Sequence, residues 1–334
     1  MQKYLRLSLN LLYRLGPFSA LLFVLLLFAL IGIGNENFLP SFFSLYNEKT
    51  ILTQTVIIGI GALGMTLVII SGGIDLSVGS QIALGTVVIS LILNGGESET
   101  AGFFLPLGAA LGGIVSCAVV GWIGGFVSAR FRIVPFIVTL GTMQITRGTA
   151  KWFAGEQTVP TESNWLQSLM LVDPDPSWLI FAPGIWITLI LLGILYVLLK
   201  YTVLGRHIFA IGSNEQTARL CGIRVEYKRV LIYTLCGLFT GVAAVMQYSN
   251  LTIGDPTAAS GMELDIIAAV VIGGGSLSGG EGSATGSIVG ALMIAVLRNG
   301  CNILGVPTYI QEIIIGLIIV GAVLVDNIRH KRRS

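Results

Sequence analysis

Residues 71–80, SGGIDLSVGS, set one carboxylate and three serines beside a pair of glycines in a chain otherwise poor in charge. Gly72 and Gly73 permit a positive φ or a close approach of backbone to backbone, and Asp75 or Ser77 is of a type that caps a following helix. An ionised carboxylate at full membrane depth costs about 2–3 kcal/mol, so Asp75 must find helix-terminal amides or water. Its place at the end of an apolar run puts it near a membrane boundary. Two roles stand open for it: capping alone, or direct contact with a substrate.

A second polar stretch, residues 200–229, reads KYTVLGRHIFAIGSNEQTARLCGIRVEYKR. It carries Lys200, Arg206, Arg219, Arg224, Lys228 and Arg229 against only Glu215 and Glu226. Short basic loops between apolar spans lie on the cytoplasmic side. Ser213 followed three residues later by Gln216 is a capping-box pattern, and Gly222 stands where a left-handed stop belongs, which predicts a two-turn helix over 214–221. Ala218, Leu220 and Cys221, with Ile223 beyond, cannot be buried within so short a helix. They pack either on another chain or on the chain's own membrane domain.

Other chemistries are missing their residues. None of Lys3, Lys49, Lys151, Lys200, Lys228 or Lys331 follows a glycine, so the phosphate-binding GK[ST] signature is absent. The chain cannot hydrolyse ATP by that route. The run GGSLSGG around Ser276 lacks the spacing of a GxSxG nucleophile turn, and no His/Glu cluster stands out. Cys117, Cys221, Cys236 and Cys301 are scattered without a CxxC, which points to neither a zinc site nor a disulfide framework. No catalytic or metal-ligating residue is expected.

The elements that hold these stretches are apolar. Of 334 residues, 54% are hydrophobic and 11% charged, and 43 are glycine, the composition of a polytopic helical membrane protein. The net charge of +2 reports topology and not nucleic-acid binding. Residues 1–16, with Lys3, Arg6 and Arg14, are expected to form an interfacial helix, followed by a retained first span over 17–34 and not a cleaved signal peptide. Further spans are expected over 51–70, 81–93, 103–128, 134–153, 179–199, 230–248, 266–274, 284–297 and 309–325, with a basic tail over 326–334. This gives about ten transmembrane or half-membrane helices in one domain, residues 1–334.

Placing both termini inside puts fifteen of the nineteen basic residues on cytoplasmic segments and eleven of the seventeen acidic residues outside. Residues 134–153 are unusually polar, with Thr139, Thr142, Thr146 and Arg147. Arg147 either pairs inside the bundle or snorkels from the outer end of its span; Arg298 and Glu312 also sit near outer ends, and the snorkelling reading is taken for all three. Trp122, Trp152, Trp165, Trp178 and Trp186 are read as interface-belt residues and not as stacking platforms for a ligand.

Two stretches look alike: LVIISGGIDLSVGSQIALGTVVISLILNGG over 67–96 and AVVIGGGSLSGGEGSATGSIVGALMIAVLRNG over 269–300. Each has an apolar run, a glycine cluster, serines, a second apolar run and a closing Asn-Gly. The topology turns both the same way, so a duplication here is of the parallel type, and paired glycine-interrupted segments point to a transport path. Shared glycine bias is the other reading.

GMTLVIISGGIDLSVGS from Gly64, LGRHIFAIGSNEQTARLCGI from Leu204 and ELDIIAAVVIGGGSLSGGEG from Glu263 resemble the three signature stretches of the permease subunits of bacterial ribose/xylose-type ABC sugar importers. The resemblance covers nearly the whole chain in order and spacing. It implies a multi-pass protein of the bacterial inner membrane that pairs with a second permease copy, identical or paralogous. A monosaccharide arrives from a periplasmic binding protein, and a cytoplasmic ABC ATPase, which binds the ATP and Mg, drives the cycle.

The central loop then resembles the coupling helix that docks on the ATPase, through Gly205, Arg206, Gly212, Asn214, Glu215, Ala218, Gly222 and Ile223. Where related loops often carry paired small residues, Thr217 precedes Ala218 here. The translocation path is expected at Ser71, Gly72, Gly73, Asp75 and Ser77 with Gly273, Gly274, Gly275 and Ser276. The outer acidic residues Glu162, Asp173, Asp175, Asp255 and Glu263 are candidates for docking the binding protein. An ion-coupled secondary transporter would need titratable groups at mid-membrane, which the spans scarcely offer. ATP dependence separates it, and a passive channel, from the importer.

Overall fold

The computed structural model describes residues 2–34, 38–95 and 102–331. Glu36, Glu97, Glu99, Arg332 and Arg333, which enter the charge asymmetry above, lie outside the described residues. In chain order the helices are α1 (Gln2–Gly32), α2 (Phe38–Phe42), α3 (Leu45–Ile70), α4 (Val78–Gly95), α5 (Phe104–Phe131), α6 (Pro135–Ala154) and α7 (Pro183–Tyr201). They continue with α8 (Val203–Ser213), α9 (Glu215–Leu220), α10 (Val225–Leu251), α11 (Met262–Ile272), α12 (Ala284–Ile303) and α13 (Thr308–Lys331). The fold is an all-α bundle, with one two-residue antiparallel pairing of β1 (Val159–Pro160) with β2 (Ile253–Gly254).

Each of the ten expected spans is occupied by a helix: α1, α3 to α7 and α10 to α13. Six of them, α3, α4, α5, α7, α10 and α12, are long and apolar enough to cross a membrane, and α1 and α13 hold shorter apolar stretches, Pro17–Gly32 and Thr308–Gly321. The eleven residues of α11 reach roughly 16 Å, half a bilayer. Two boundaries differ from expectation. Helix α1 runs unbroken through Pro17, where an interfacial helix and a separate span were expected. The central loop is more helical than its charge suggested, because Thr202 caps α8 by accepting the Gly205 amide at 3.1 Å, and Ile208 and Ile211 recur on one buried face.

Helix α3 is the axis of the bundle. Its most apolar stretch is 94% buried against 22% for α7, which lies at the periphery. Helices α5 and α10 pack backbone to backbone through two G-x-x-x-G pairs, Gly121/Gly125 and Gly237/Gly241. A Cβ on Gly121 would stand 3.2 Å from the Gly237 Cα, and one on Gly241 only 2.5 Å from the Ile114 Cα. Lipid supplies no hydrophobic drive between helices, so this close van der Waals contact is what fixes them together.

The connections sort to two ends of the bundle. At one end, the turns after α3 and α11 meet α8. At the other, Lys49 pairs with Asp173 at 2.8 Å, Val159 pairs with Gly254, and the Met170 amide donates to Ser249 Oγ at 3.0 Å.

Candidate coupling and translocation site

The two look-alike stretches share a backbone design. After α3, the Gly73 amide donates to the Val68 carbonyl at 3.0 Å with Gly72 at φ +81°. After α11, the Gly275 amide donates to the Val270 carbonyl at 2.8 Å with Gly274 at φ +90°. Both are left-handed glycine helix stops closed by the same bond across five residues. Beyond them the copies diverge. The first enters α4 within a few residues. The second makes a further turn through Gly279 and Gly280 before Ser283 caps α12 by accepting the Gly286 amide at 3.0 Å.

That further turn closes back on the first copy, where the Gly280 amide donates to the Ile70 carbonyl at 2.8 Å. Gly212, in the last turn of α8, is wedged into the junction. A Cβ there would overlap the Ile70 carbonyl oxygen and stand 2.6 Å from the Gly280 nitrogen, and a Cβ on Gly279 would stand 2.7 Å from the Gly212 carbonyl oxygen and 3.0 Å from the Gly72 Cα. The three signature stretches therefore converge on one glycine-lined contact. Gly205 is held the same way, since a side chain would overlap the Leu198 and Leu199 carbonyls.

Helix α9 follows directly. Its cap is Asn214, whose Oδ1 accepts the Thr217 amide at 2.9 Å, and not Ser213, because α8 runs on to use Ser213 as its last residue. Gly222, at φ +83°, ends it as expected, with the Ile223 amide donating to the Ala218 carbonyl at 3.1 Å. Glu215 takes Arg219 and Arg229 at 2.8 Å each, and Arg219 also pairs with Glu226. Partial burial works against the charge on Glu215, but the hydrogen bond from Arg219 and the charge of Arg229 outweigh it and hold the carboxyl below its ordinary value. Ala218 is buried in a small cluster with Ile211, Val225 and Ile223, on the chain's own membrane domain. Leu220 is not: it is 89% exposed, and Arg206 and Cys221 are exposed as well. Most of the coupling residues named from sequence shape this corner, while Leu220 supplies its apolar surface. An isolated leucine in the last turn of a short polar helix was the signal for it.

Asp75 is buried inside the bundle. It is 1% exposed and sits where Ile74 accepts from Tyr233 Oη (3.4 Å) and Thr139 Oγ1 (3.2 Å), and Tyr233 is eight residues, about 12 Å, along α10 from its start. Its carboxylate accepts the Ser77 amide at 2.9 Å, the Ser77 hydroxyl at 2.5 Å and the Gln81 amide at 3.5 Å. This is a capping arrangement that starts α4 inside the bundle.

The polar face of α6 explains itself here. Irregular backbone at this depth exposes carbonyls that no helix partner satisfies. Thr139 serves Ile74, and Arg147, about 12 Å further along α6, donates to Pro256 O at 3.1 Å and Ala258 O at 2.7 Å. Arg147 therefore turns inward and does not snorkel. Arg298 likewise pairs with Asp265 at 2.6 Å.

Among the acidic docking candidates, Glu162 and Asp175 are exposed and Asp173, 66% exposed, is tied to Lys49. Asp255 instead accepts the Thr257 amide and hydroxyl at 2.7 Å each. Glu263 belongs to the first turn of α11 and not to the outer loop, with one carboxylate oxygen buried beside Gly79. Trp165 stacks on Phe103 at 5.1 Å and donates to its carbonyl at 3.2 Å, a structural role at that end.

One groove borders the site and a larger cavity lies toward the other end of α3. A groove of about 590 Å³ runs between Gly72, Arg132, Glu215, Arg219 and Arg229, and a larger cavity of about 780 Å³ opens among α3, α10, α11, α12 and α13. Of the expected path residues only Gly72 lines either one; Ser71, Gly73, Asp75, Ser77, Gly273, Gly274, Gly275 and Ser276 line neither. Among the described residues, no group of three or more His, Cys, Asp or Glu side chains is placed to hold a metal ion.

A family model described as branched-chain amino acid transport system / permease component matches residues 49–323. The chain belongs to this permease family. The permease is 40% identical over 298 residues to the ribose import permease protein RbsC of Escherichia coli (strain K12), covering 86% of this chain and 88% of the relative. It is 37% identical to the RbsC protein of Bacillus subtilis (strain 168) over 94% of this chain and 92% of the relative. It is also 34% identical to the L-arabinose transport system permease protein AraH of Escherichia coli (strain K12), over 93% and 91%. No solved structure matches the permease. It is a multi-pass membrane permease of the ABC sugar-importer class, whose ATPase is a separate subunit.

Proposed function

We propose that this permease carries a monosaccharide of the ribose, xylose or arabinose kind across the bacterial inner membrane, with both termini in the cytoplasm. The observation that carries the coupling step is the seating of Gly212 against Ile70 and Gly280. A displacement of α8 and α9 cannot leave the two glycine turns where they are, because backbone touches backbone with no compliant side chain between. A cytoplasmic ABC ATPase, binding ATP and Mg, docks on Leu220 and the exposed face of α9. Its closure moves α8, which shifts the turns at Ser71–Gly73 and Gly273–Ser276 and changes the side to which the polar path opens. A second permease copy, identical or paralogous, completes the pore in the lipid bilayer.

At the opposite end, a periplasmic sugar-binding protein with a basic rim docks on the acidic loops, where Glu162 and Asp175 are most exposed. Proteoliposomes containing the permease, its ATPase and its binding protein test the whole reading with labelled D-ribose, D-xylose and L-arabinose. Uptake is expected to survive collapse of the proton and sodium gradients and to stop on ATP depletion. The reverse pattern would make the chain an ion-coupled transporter. Charge reversal at Glu162 and Asp175 should slow delivery and flatten its salt dependence, and unchanged delivery would remove those two residues from docking.

A further inference from the structure

The larger cavity has a chemistry of its own. Along α3, every residue from Thr55 to Ile70 is buried, yet Gln54, one position earlier, is exposed, and its side chain faces this cavity. On the opposite wall Gln247 is only 6% exposed, yet its Oε1 accepts no hydrogen bond. Arg298 is fixed by Asp265 at 2.6 Å, yet its buried Nε donates to nothing. Buried polar groups without partners are uncommon in folded proteins and mark places where something else supplies the bond. Here one is an acceptor and the other a donor, on walls of the same cavity. A hydroxyl group both donates and accepts, so a molecule with several hydroxyls meets both needs, whereas a lone anion or cation meets one. The Asp265–Arg298 pair is neutral as a unit and Glu312 adds a further carboxylate to the lining, which disfavours an anionic ligand and leaves hydroxyls as groups that meet both the free acceptor and the free donor. At about 780 Å³ the space falls in the range of small-molecule sites, roughly 300–1,000 Å³, and is lined on one side by Ile57.

We propose that this cavity is a monosaccharide site of the permease itself, with Gln247 Oε1 accepting from one sugar hydroxyl and Arg298 Nε donating to another. The proposal rests on the importer reading above and adds the place where the sugar pauses after release by the binding protein. It also supplies a link to coupling. Helix α11 carries Asp265 at the cavity and ends eight residues later at Gly273, about 12 Å away, in the turn that packs toward Gly212. A rigid half-helix thus joins the sugar's wall to the moving corner, and a shift of the turn displaces Asp265 and with it Arg298.

The test uses the complete importer in lipid nanodiscs, carrying Gln54→Cys with the exposed Cys221 replaced by serine, and follows the rate at which a maleimide labels position 54. Millimolar D-ribose, D-xylose and L-arabinose are the probes, and the same preparation is assayed for ATP-driven uptake of each. The expected result is that a transported sugar slows labelling at least fivefold. That protection should require at least tenfold more sugar after Gln247→Leu, and should return with Gln247→Glu, which restores an acceptor oxygen on a side chain of the same length. The glutamate variant also guards against mere misfolding, since both substitutions alter the same buried position. A sugar that is transported but leaves labelling unchanged overturns the site while leaving the importer reading intact. Failure to transport any of the three overturns both.

Discussion

The Gly280 amide donates to the Ile70 carbonyl across 2.8 Å, joining the second glycine turn to the end of the central helix. Gly212 of α8 closes over this bond with its own backbone. A side chain at position 212 has nowhere to go, and the neighbours are carbonyl and amide groups that cannot swing aside. Gly212→Ala is therefore expected to cost about 1–3 kcal/mol by overpacking and to lower the melting temperature of the purified permease. It should also reduce sugar-dependent ATP hydrolysis more than it reduces assembly with the ATPase, as read by hydrolysis rate against copurified subunit.

Leu220 gives the complementary case. At 89% exposure it contributes little to the fold, and surface changes of this kind usually stay within about 0.5 kcal/mol. Leu220→Asp should leave thermal stability unchanged and weaken retention of the ATPase about tenfold or more, as expected for an apolar anchor at an interface. Retention equal to that of the native chain would move the docking surface away from α9.

Asp75→Asn discriminates capping from a charge role. Asparagine caps as well as aspartate does, so the Ser77 amide and hydroxyl keep an acceptor and uptake should remain close to native. Asp75→Leu strands those donors and should cost about 1–3 kcal/mol. A stable Asn variant that no longer transports would assign the carboxylate a part in the transport step itself.

Arg147→Met removes the donor that serves Pro256 and Ala258. Each hydrogen bond from a charged group is worth about 1.5–3 kcal/mol, so a loss on the order of 3 kcal/mol is expected, together with faster proteolysis within 252–261. Both bonds leave the single nitrogen Nη1, so Arg147→Lys, whose ammonium carries three donors on one nitrogen, should recover most of this.

The ion network on α9 sets a pH dependence. Glu215 has a folded value below its ordinary 4.5, so its contribution is fully present above 4.5 and fades as pH falls through the lowered folded value. Hydrogen exchange of the α9 amides should stay slow from neutral pH down to 4.5 and quicken only on further acidification. Glu215→Gln should shrink that acid-side change to the part contributed by Glu226, which Arg219 also holds below its ordinary value.

The long apolar helices, their order and the two glycine turns could be read along the chain, because apolar length, glycine stops and capping residues act over a few neighbours, whereas α2 and α8 could not. The G-x-x-x-G spacing that joins α5 to α10 was there too, in Gly121/Gly125 and Gly237/Gly241. Position across the bundle was not legible. That Asp75 caps α4 from a buried position, and is not held by solvent, shows only once the turn after α3 is packed among α4, α6 and α10. Arg147 reads as a snorkelling residue until carbonyls more than a hundred residues away come to its guanidinium. Gln54, Gln247 and Arg298 come to one cavity from three different helices, and no local pattern links them. Sequence by itself determined the class of protein, its apolar helical stretches and the three signature stretches that meet at Gly212. Tertiary structure alone decided depth and partnership, because a buried polar group is satisfied by whatever the fold brings to it and not by its neighbours in the chain.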